Sequence, residues 1–209
     1  MYLATVSRME IAMRACLVLV VGLIVFGFVG VARADGDQEG SSESMRGKLG
    51  LDGAFVVPLG KWRDEARVGY GALVAARAHA GRGFALTGRA GYVAHSWKDY
   101  RLRRSTSEIP VLFGVKWYLG EYEGFYVGGE IGVTVLSHRM KTPDDLPGYA
   151  SKVLSRTSWG ISGVFGVGVE FANVDVRGQV YFPTMVAGEE GADSFVGVML
   201  NLGYRFFAY

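Results

Sequence analysis

Eight stretches of this sequence alternate apolar with polar or small residues at every second position, and that period limits the fold more than any motif does. The last stretch, VGVMLNLGYRF, is the plainest. Val196, Val198, Leu200, Leu202, Tyr204 and Phe206 fall on one face, and Gly197, Met199, Asn201, Gly203 and Arg205 fall on the other. The first face is too continuously apolar to meet water. The second carries a charge and an amide, so each face needs its own solvent. The same alternation is read over residues 48–57, 68–79, 84–95, 109–119, 125–135, 159–171 and 174–182.

The gaps between these strands alternate as well. Those at 80–83, 120–124 and 172–173 are tight, whereas those at 58–67, 96–107, 139–157 and 184–194 are longer and polar. An even number of antiparallel strands with short turns at one end and long loops at the other is the transmembrane barrel arrangement. The predicted fold class is all-β: an eight-stranded antiparallel up-and-down transmembrane β-barrel over residues 46–209. Pro110 interrupts the fourth strand and removes a ladder donor, so that strand is expected to begin in effect at Val111. The 31 glycines suit crowded, sharply bent strands.

The N-terminal residues have the composition of an export signal. Arg8 and Arg14 precede the apolar run CLVLVVGLIVFGFVGVA, and Ala32-Arg33-Ala34 supplies a small-x-small cleavage site. Residues 1–34 are read as a signal peptide and 35–45, polar and aperiodic, as a flexible periplasmic tail. Either Met9 or Met13 is an equally admissible start. The only cysteine, Cys16, lies within the leader, so the exported portion is expected to have no disulfide and no thiolate site. The formal net charge of +2 also belongs to the leader. A balanced remainder gives no support to a nucleic-acid partner.

Aromatic residues mark two levels on the apolar face. Phe84, Trp117, Phe125, Phe171 and Phe206 lie nearest the tight turns; Phe55, Tyr70, Tyr92, Trp159 and Phe182 lie nearest the long loops. Two aromatic belts around an aliphatic band match the two interfaces of a bilayer. The apolar face is therefore read as lipid-facing. The other face lines a lumen that eight strands leave just wide enough for side chains.

That inner face holds Asp52, Arg77, Arg89, Lys116, Glu130, Glu170, Asp175, Arg177 and Arg205, together with Lys48. Charges confined there must pair, because an unpaired buried charge is very costly. They are predicted to form a salt-bridged plug, the alternative being a narrow channel.

Catalytic chemistry finds little footing. His95 adjoins Ser96 and His138 adjoins Ser137, but neighbours on a strand point to opposite faces, which argues against a relay. His95 is expected to bond an interior or rim carboxylate, and His79 to lie inside near the tight turns. No phosphate loop or metal set is read, so no catalytic residue and no cofactor is assigned. Of the loops, the second carries Lys98, Arg101, Arg103 and Arg104, and the third Arg139 and Lys141. These six are the candidate contacts for lipopolysaccharide phosphates or another anionic surface polymer.

The stretches VPLGKWRDEARVGYGALVAARAHAGRGFALTGRAGYVAH, IPVLFGVKWYLGEYEGFYVGGEIGV and LNLGYRF resemble the small outer-membrane β-barrel domains of the OmpA/OmpX type. The resemblance implies insertion in the outer membrane of a Gram-negative bacterium, recognition of the C-terminal strand by the barrel-assembly machinery, and no catalytic residues. Because Phe207-Ala208-Tyr209 runs past Phe206, either the strand signal ends at Phe206 or the last strand shifts register. The function expected is structural or surface-interacting and non-enzymatic, with a lipid A-modifying hydrolase or a narrow channel as the alternatives. The sequence leaves oligomeric state open.

Overall fold

The computed structural model describes residues 47–60, 62–63, 66–80, 83–97, 103–120, 123–141, 153–187 and 195–208. Eight strands follow in order: β1 (Gly47–Leu59), β2 (Ala66–His79), β3 (Phe84–Trp97), β4 (Arg103–Tyr118), β5 (Gly124–Lys141), β6 (Val153–Phe171), β7 (Val174–Ala187) and β8 (Phe195–Ala208). Each is antiparallel to the next, and β8 returns to pair with β1, so the sheet closes into a barrel without an edge. The leader (1–34), the tail (35–45), Lys98, Arg101 and Tyr209 lie outside the described residues.

The alternation resolves into an outside and an inside. Leu51, Val115, Ile131, Val167 and Leu202 are exposed on the outer wall, while Asp52, Lys116, Glu130 and Arg205 are buried. A wall of exposed Val, Leu, Ile and Phe around a charged interior is the inverse of a water-soluble barrel and suits a lipid surround. Both aromatic belts are on this outer surface: Phe84, Trp117, Phe125, Phe171 and Phe206 at the tight-turn end, Phe55, Tyr70, Tyr92 and Trp159 at the other. Phe182 is half-buried, because β7 bulges immediately after it.

The strands outrun the sequence reading at the long-loop end. β4 begins at Arg103, not Val111, and β5 and β6 reach Lys141 and Val153. Pro110 is accommodated without ending β4. The ladder to β3 omits Ile109 and Pro110 and resumes at Glu108 in unchanged register, while Pro110 still pairs with Thr134 of β5. The missing N–H is confined to one side of the strand. In consequence Arg103, Arg104, Arg139 and Lys141, expected in loops, stand in strands β4 and β5. At the other end β8 shifts register opposite Leu49 and Gly50, so that Phe206 is skipped and Phe207 and Ala208 continue the ladder.

Candidate functional site

The lumen is filled in layers. At the tight-turn end Lys48 donates to Glu123 at 3.3 Å and to the Ala172 carbonyl at 3.1 Å. Above it Glu170 is bonded by Arg77, accepts from the Tyr118 hydroxyl at 2.8 Å, and has Lys116 Nζ at 3.6 Å. Asp175 is the hub of the next layer. It receives Lys116 at 2.7 Å, Arg177 and the Tyr126 hydroxyl each at 2.5 Å, and Arg205 at 2.7 Å. Asp52 is held by Arg205 and, at 3.0 Å, by Arg177. Glu130 takes a two-pronged contact from Arg89, with Nε at 2.6 Å, and the Thr87 hydroxyl at 2.9 Å.

These groups come from all eight strands: Asp52 from β1, Arg77 from β2, Arg89 from β3, Lys116 from β4, Glu130 from β5, Glu170 from β6, Asp175 and Arg177 from β7, and Arg205 from β8. All nine are buried. The structure thus brings every predicted interior residue into one continuous set of ion pairs. The arrangement ties all eight strands together across the lumen and acts as a cross-brace.

Three members of this interior were not singled out from sequence. Tyr118 and Tyr126 sit on the inner face and carry Arg77 and Lys116 over their rings, at 5.8 and 4.0 Å from the centroids. Glu108 was lost because the strand was read as starting after Pro110; counting back by twos from Lys116 reaches it. Glu108 is fully buried, accepts from the Tyr181 hydroxyl at 2.8 Å, and has His95 Nε2 at 3.2 Å. Around this pair the upper lumen turns apolar: Val56, Leu73, Val93, Leu112, Val164 and Met199 form one buried cluster, covered by Trp62 from the first loop. The plug is therefore charged below, as the salt-bridged plug expected from sequence, and apolar above.

The other histidines stand apart. His79 lies 6.0 Å from the Tyr118 ring, and His138 Nδ1 is 3.0 Å from the Thr106 hydroxyl. Among the described residues no three His, Cys, Asp or Glu side chains group as a metal site.

At the long-loop end the backbone register sets Arg103 opposite Lys141, Arg104 opposite Met140, and Arg139 between Ser105 and Ser155. Arg139 is exposed. Arg156 joins this level, opposite His138. Four of the six candidate contacts are thus gathered on one pair of strands, β4 and β5.

A closed, eight-stranded, antiparallel barrel with an apolar outside and a charged inside defines the class: the fold is that of the small outer-membrane β-barrels. Solved structures share it. The chain superimposes on Ail, the attachment invasion locus protein of Yersinia pestis, with a TM-score of 0.53 and 14% identity, over 78% of this chain and 99% of that one. A second structure of Ail, in complex with the heparin analogue sucrose octasulfate, gives 0.52 and 15% over the same shares. Neisserial surface protein A aligns at 0.42 and 14%, over 77% of this chain and 97% of the other. No family model and no curated protein sequence matches the chain.

Proposed function

We propose that this chain is a non-enzymatic outer-membrane barrel of a Gram-negative bacterium, exported by a leader over residues 1–34 and inserted through recognition of its last strand, whose long-loop end binds anionic surface ligands. The observation that carries the reading is the basic register of β4 and β5. Arg103 pairs with Lys141, and Arg139 follows two rungs below, with Ser105, Ser107, Ser137 and Ser155 interspersed. Arg139 stands four residues beyond Val135, the position that pairs with the belt residue Trp159. At about 3.3 Å per residue that is roughly 13 Å along the strand, and at a tilt of about 45° it raises Arg139 roughly 9 Å above the belt, at the level of the polar headgroups. Guanidinium groups match phosphate and sulfate in charge and in paired hydrogen-bond geometry. Support also comes from the fold likeness to Ail, which has been solved with a polysulfated sugar. Lys98 and Arg101, in the adjoining loop, belong to the same proposed surface.

The test is binding of the purified barrel to immobilised lipopolysaccharide and to sucrose octasulfate, against a variant with Arg103, Arg139 and Lys141 changed to Ala. The reading requires weaker binding by the variant and a loss of wild-type binding as salt rises, since exposed charges are screened over about 10 Å at 0.1 M. Equal binding by the two proteins would overturn it. Retained lipopolysaccharide binding with lost sulfate binding, or the reverse, separates the two ligands. Trypsin treatment of intact cells would add orientation: cleavage at Arg101, Arg103 or Arg104, with Arg82 spared, places the long loops outside.

A further inference from the structure

The outer wall is not evenly filled. Along one ladder row it carries Gly53 of β1, Leu202 of β8, Val176 of β7, Val169 of β6 and Phe125 of β5, each paired with the next. The row beside it holds Gly178 of β7 between Leu200 and Val167. Gly53 and Gly178 leave a groove of about 590 Å³ among these side chains, and its lining is apolar. That volume is within the range of small-ligand clefts, about 300–1,000 Å³.

Crowding does not account for these two glycines. A Cβ at Gly178 would lie 3.6 Å from the Leu200 side chain, and one at Gly53 would lie 3.7 Å from the Leu202 carbonyl, both ordinary contacts. Inward-facing glycines of the same wall differ: a Cβ at Gly166 would overlap the Gly178 carbonyl, and one at Gly168 the Tyr126 hydroxyl. The space at Gly53 and Gly178 is thus left on the lipid side. The groove also climbs. Phe125 is the second residue of β5, at the tight-turn belt, whereas Gly53 is the seventh of β1. Five strands set four spacings of about 4.8 Å, roughly 19 Å around the wall, and at a strand tilt of about 45° the row rises roughly 13 Å. One leaflet is half of a hydrocarbon core about 30 Å thick. The groove therefore begins at an interface and ends near the midplane.

We propose that this groove seats one acyl chain of a phospholipid in the leaflet at the tight-turn end, with its ester at Phe125 and its methyl end at Gly53. An acyl chain has the starting level, the depth and the chemistry that the groove has. A second copy of the barrel does not match it: a stable interface takes about 20–30 residues a side, whereas eleven line the groove. In hydrocarbon there is no water to expel from an apolar surface, so close packing selects what lies against it. A chain seated between Leu200, Leu202 and Val167 meets a floor and two sides where a convex wall offers only a floor, and it gains dispersion contacts accordingly. The proposal rests on the wall facing lipid and not on the basic strand ends, so loss of anionic-ligand binding would leave it standing.

The test uses the full barrel refolded into phosphatidylcholine vesicles that contain one of two photoactivatable phosphatidylcholines, with a diazirine at the methyl end or beside the ester of an acyl chain. After illumination the labelled residues are mapped by mass spectrometry. The methyl-end probe is expected to label Gly53 and Leu202 several-fold more than Phe113, exposed at a similar depth on β4. The ester-end probe should favour Phe125 and Val169 over Leu86, exposed near the same belt on β3, to a similar extent. Filling the groove with Gly178→Leu should remove both excesses and leave labelling at Phe113 and Leu86 unchanged. Even labelling around the wall, or an excess that survives Gly178→Leu, would overturn the proposal. Protection of Gly53 and Leu202 in a barrel that cross-links as a dimer would also overturn it, by assigning the groove to a second copy. Should Gly178→Leu fail to insert, the wild-type ratios between the two sides of the wall decide the matter alone.

Discussion

Arg205 on β8 donates to the carboxylate of Asp52 on β1, across the seam where the first and last strands close the barrel. The same guanidinium reaches Asp175 on β7 at 2.7 Å. Removing one partner from a buried, hydrogen-bonded charge set strands the others, at a cost of about 3–5 kcal/mol. Arg205→Ala is expected to lower the unfolding free energy, read from a urea titration, by that order. Adding Asp52→Asn should recover part of the loss, because neighbours in one network are coupled by roughly 0.5–3 kcal/mol. A loss under about 0.5 kcal/mol, the size of a surface substitution, would mean that the seam is held by backbone pairing alone.

The outer wall makes the opposite prediction from that of a soluble protein. Val167 is 60% exposed on β6, between the belt residues Trp159 and Phe171. On a water-facing surface Val167→Arg would be nearly neutral, whereas within the hydrocarbon band it costs up to about 2–4 kcal/mol, the most at the midplane. Folding yield and stability in lipid vesicles, compared with those of wild type, measure the difference. A neutral result would place this face in water.

Two glycines should respond differently to a methyl group. A Cβ at Gly132 of β5 would overlap the Val111 carbonyl of the neighbouring strand, whereas one at Gly53 of β1 would lie 3.7 Å from the nearest atom. Gly132→Ala therefore forces the backbone apart and is expected to cost about 1–3 kcal/mol, the range for overpacking. Gly53→Ala should be close to neutral. Denaturant midpoints of the two single variants test the contrast, and similar values would refute it.

The tight turn between β6 and β7 contains the only non-glycine residue with positive φ among the described residues, Ala172 at 53°. A left-handed conformation costs an L-residue roughly 1–2 kcal/mol, and glycine escapes that cost. Ala172→Gly is expected to raise stability, less the extra freedom it gives the unfolded chain. A lowered thermal midpoint would show that the methyl group makes a contact of greater worth than the strain.

The filled lumen bears on the channel reading. With Trp62, the apolar cluster and the ion pairs stacked along it, the barrel is expected to give conductance in a planar bilayer no greater than protein-free controls. On the proposed non-enzymatic reading, deletion of the gene is expected to leave the lipid A profile unaltered. Discrete conductance steps, or a new lipid A species, would revive the corresponding alternative.

Much of the barrel was legible because strand periodicity is local. Asp52, Lys116 and Arg205 declare the inner face by position parity alone, and Phe84, Trp117 and Trp159 mark the belts by their distance from the turns. Closure of β8 on β1 follows from an even count of strands with no edge to spare. What parity does not carry is partnership. That Asp175 collects three cations while Glu108 meets Tyr181 and His95 depends on stagger between strands far apart in sequence. The extent of β4 was hidden for a related reason: whether Pro110 ends a strand depends on which side of it needs the N–H, and only the paired neighbours decide that. The burial of Trp62 was hidden too. It reads as one aromatic residue in a polar loop, and its place over the apolar lumen rests on space left by Gly197 on β8. The alternation and the faces it defines are local, because period 2 is read along one segment. The ion-pair partners, the length of the wall and the burial of Trp62 are not, because they depend on the register at which distant segments meet.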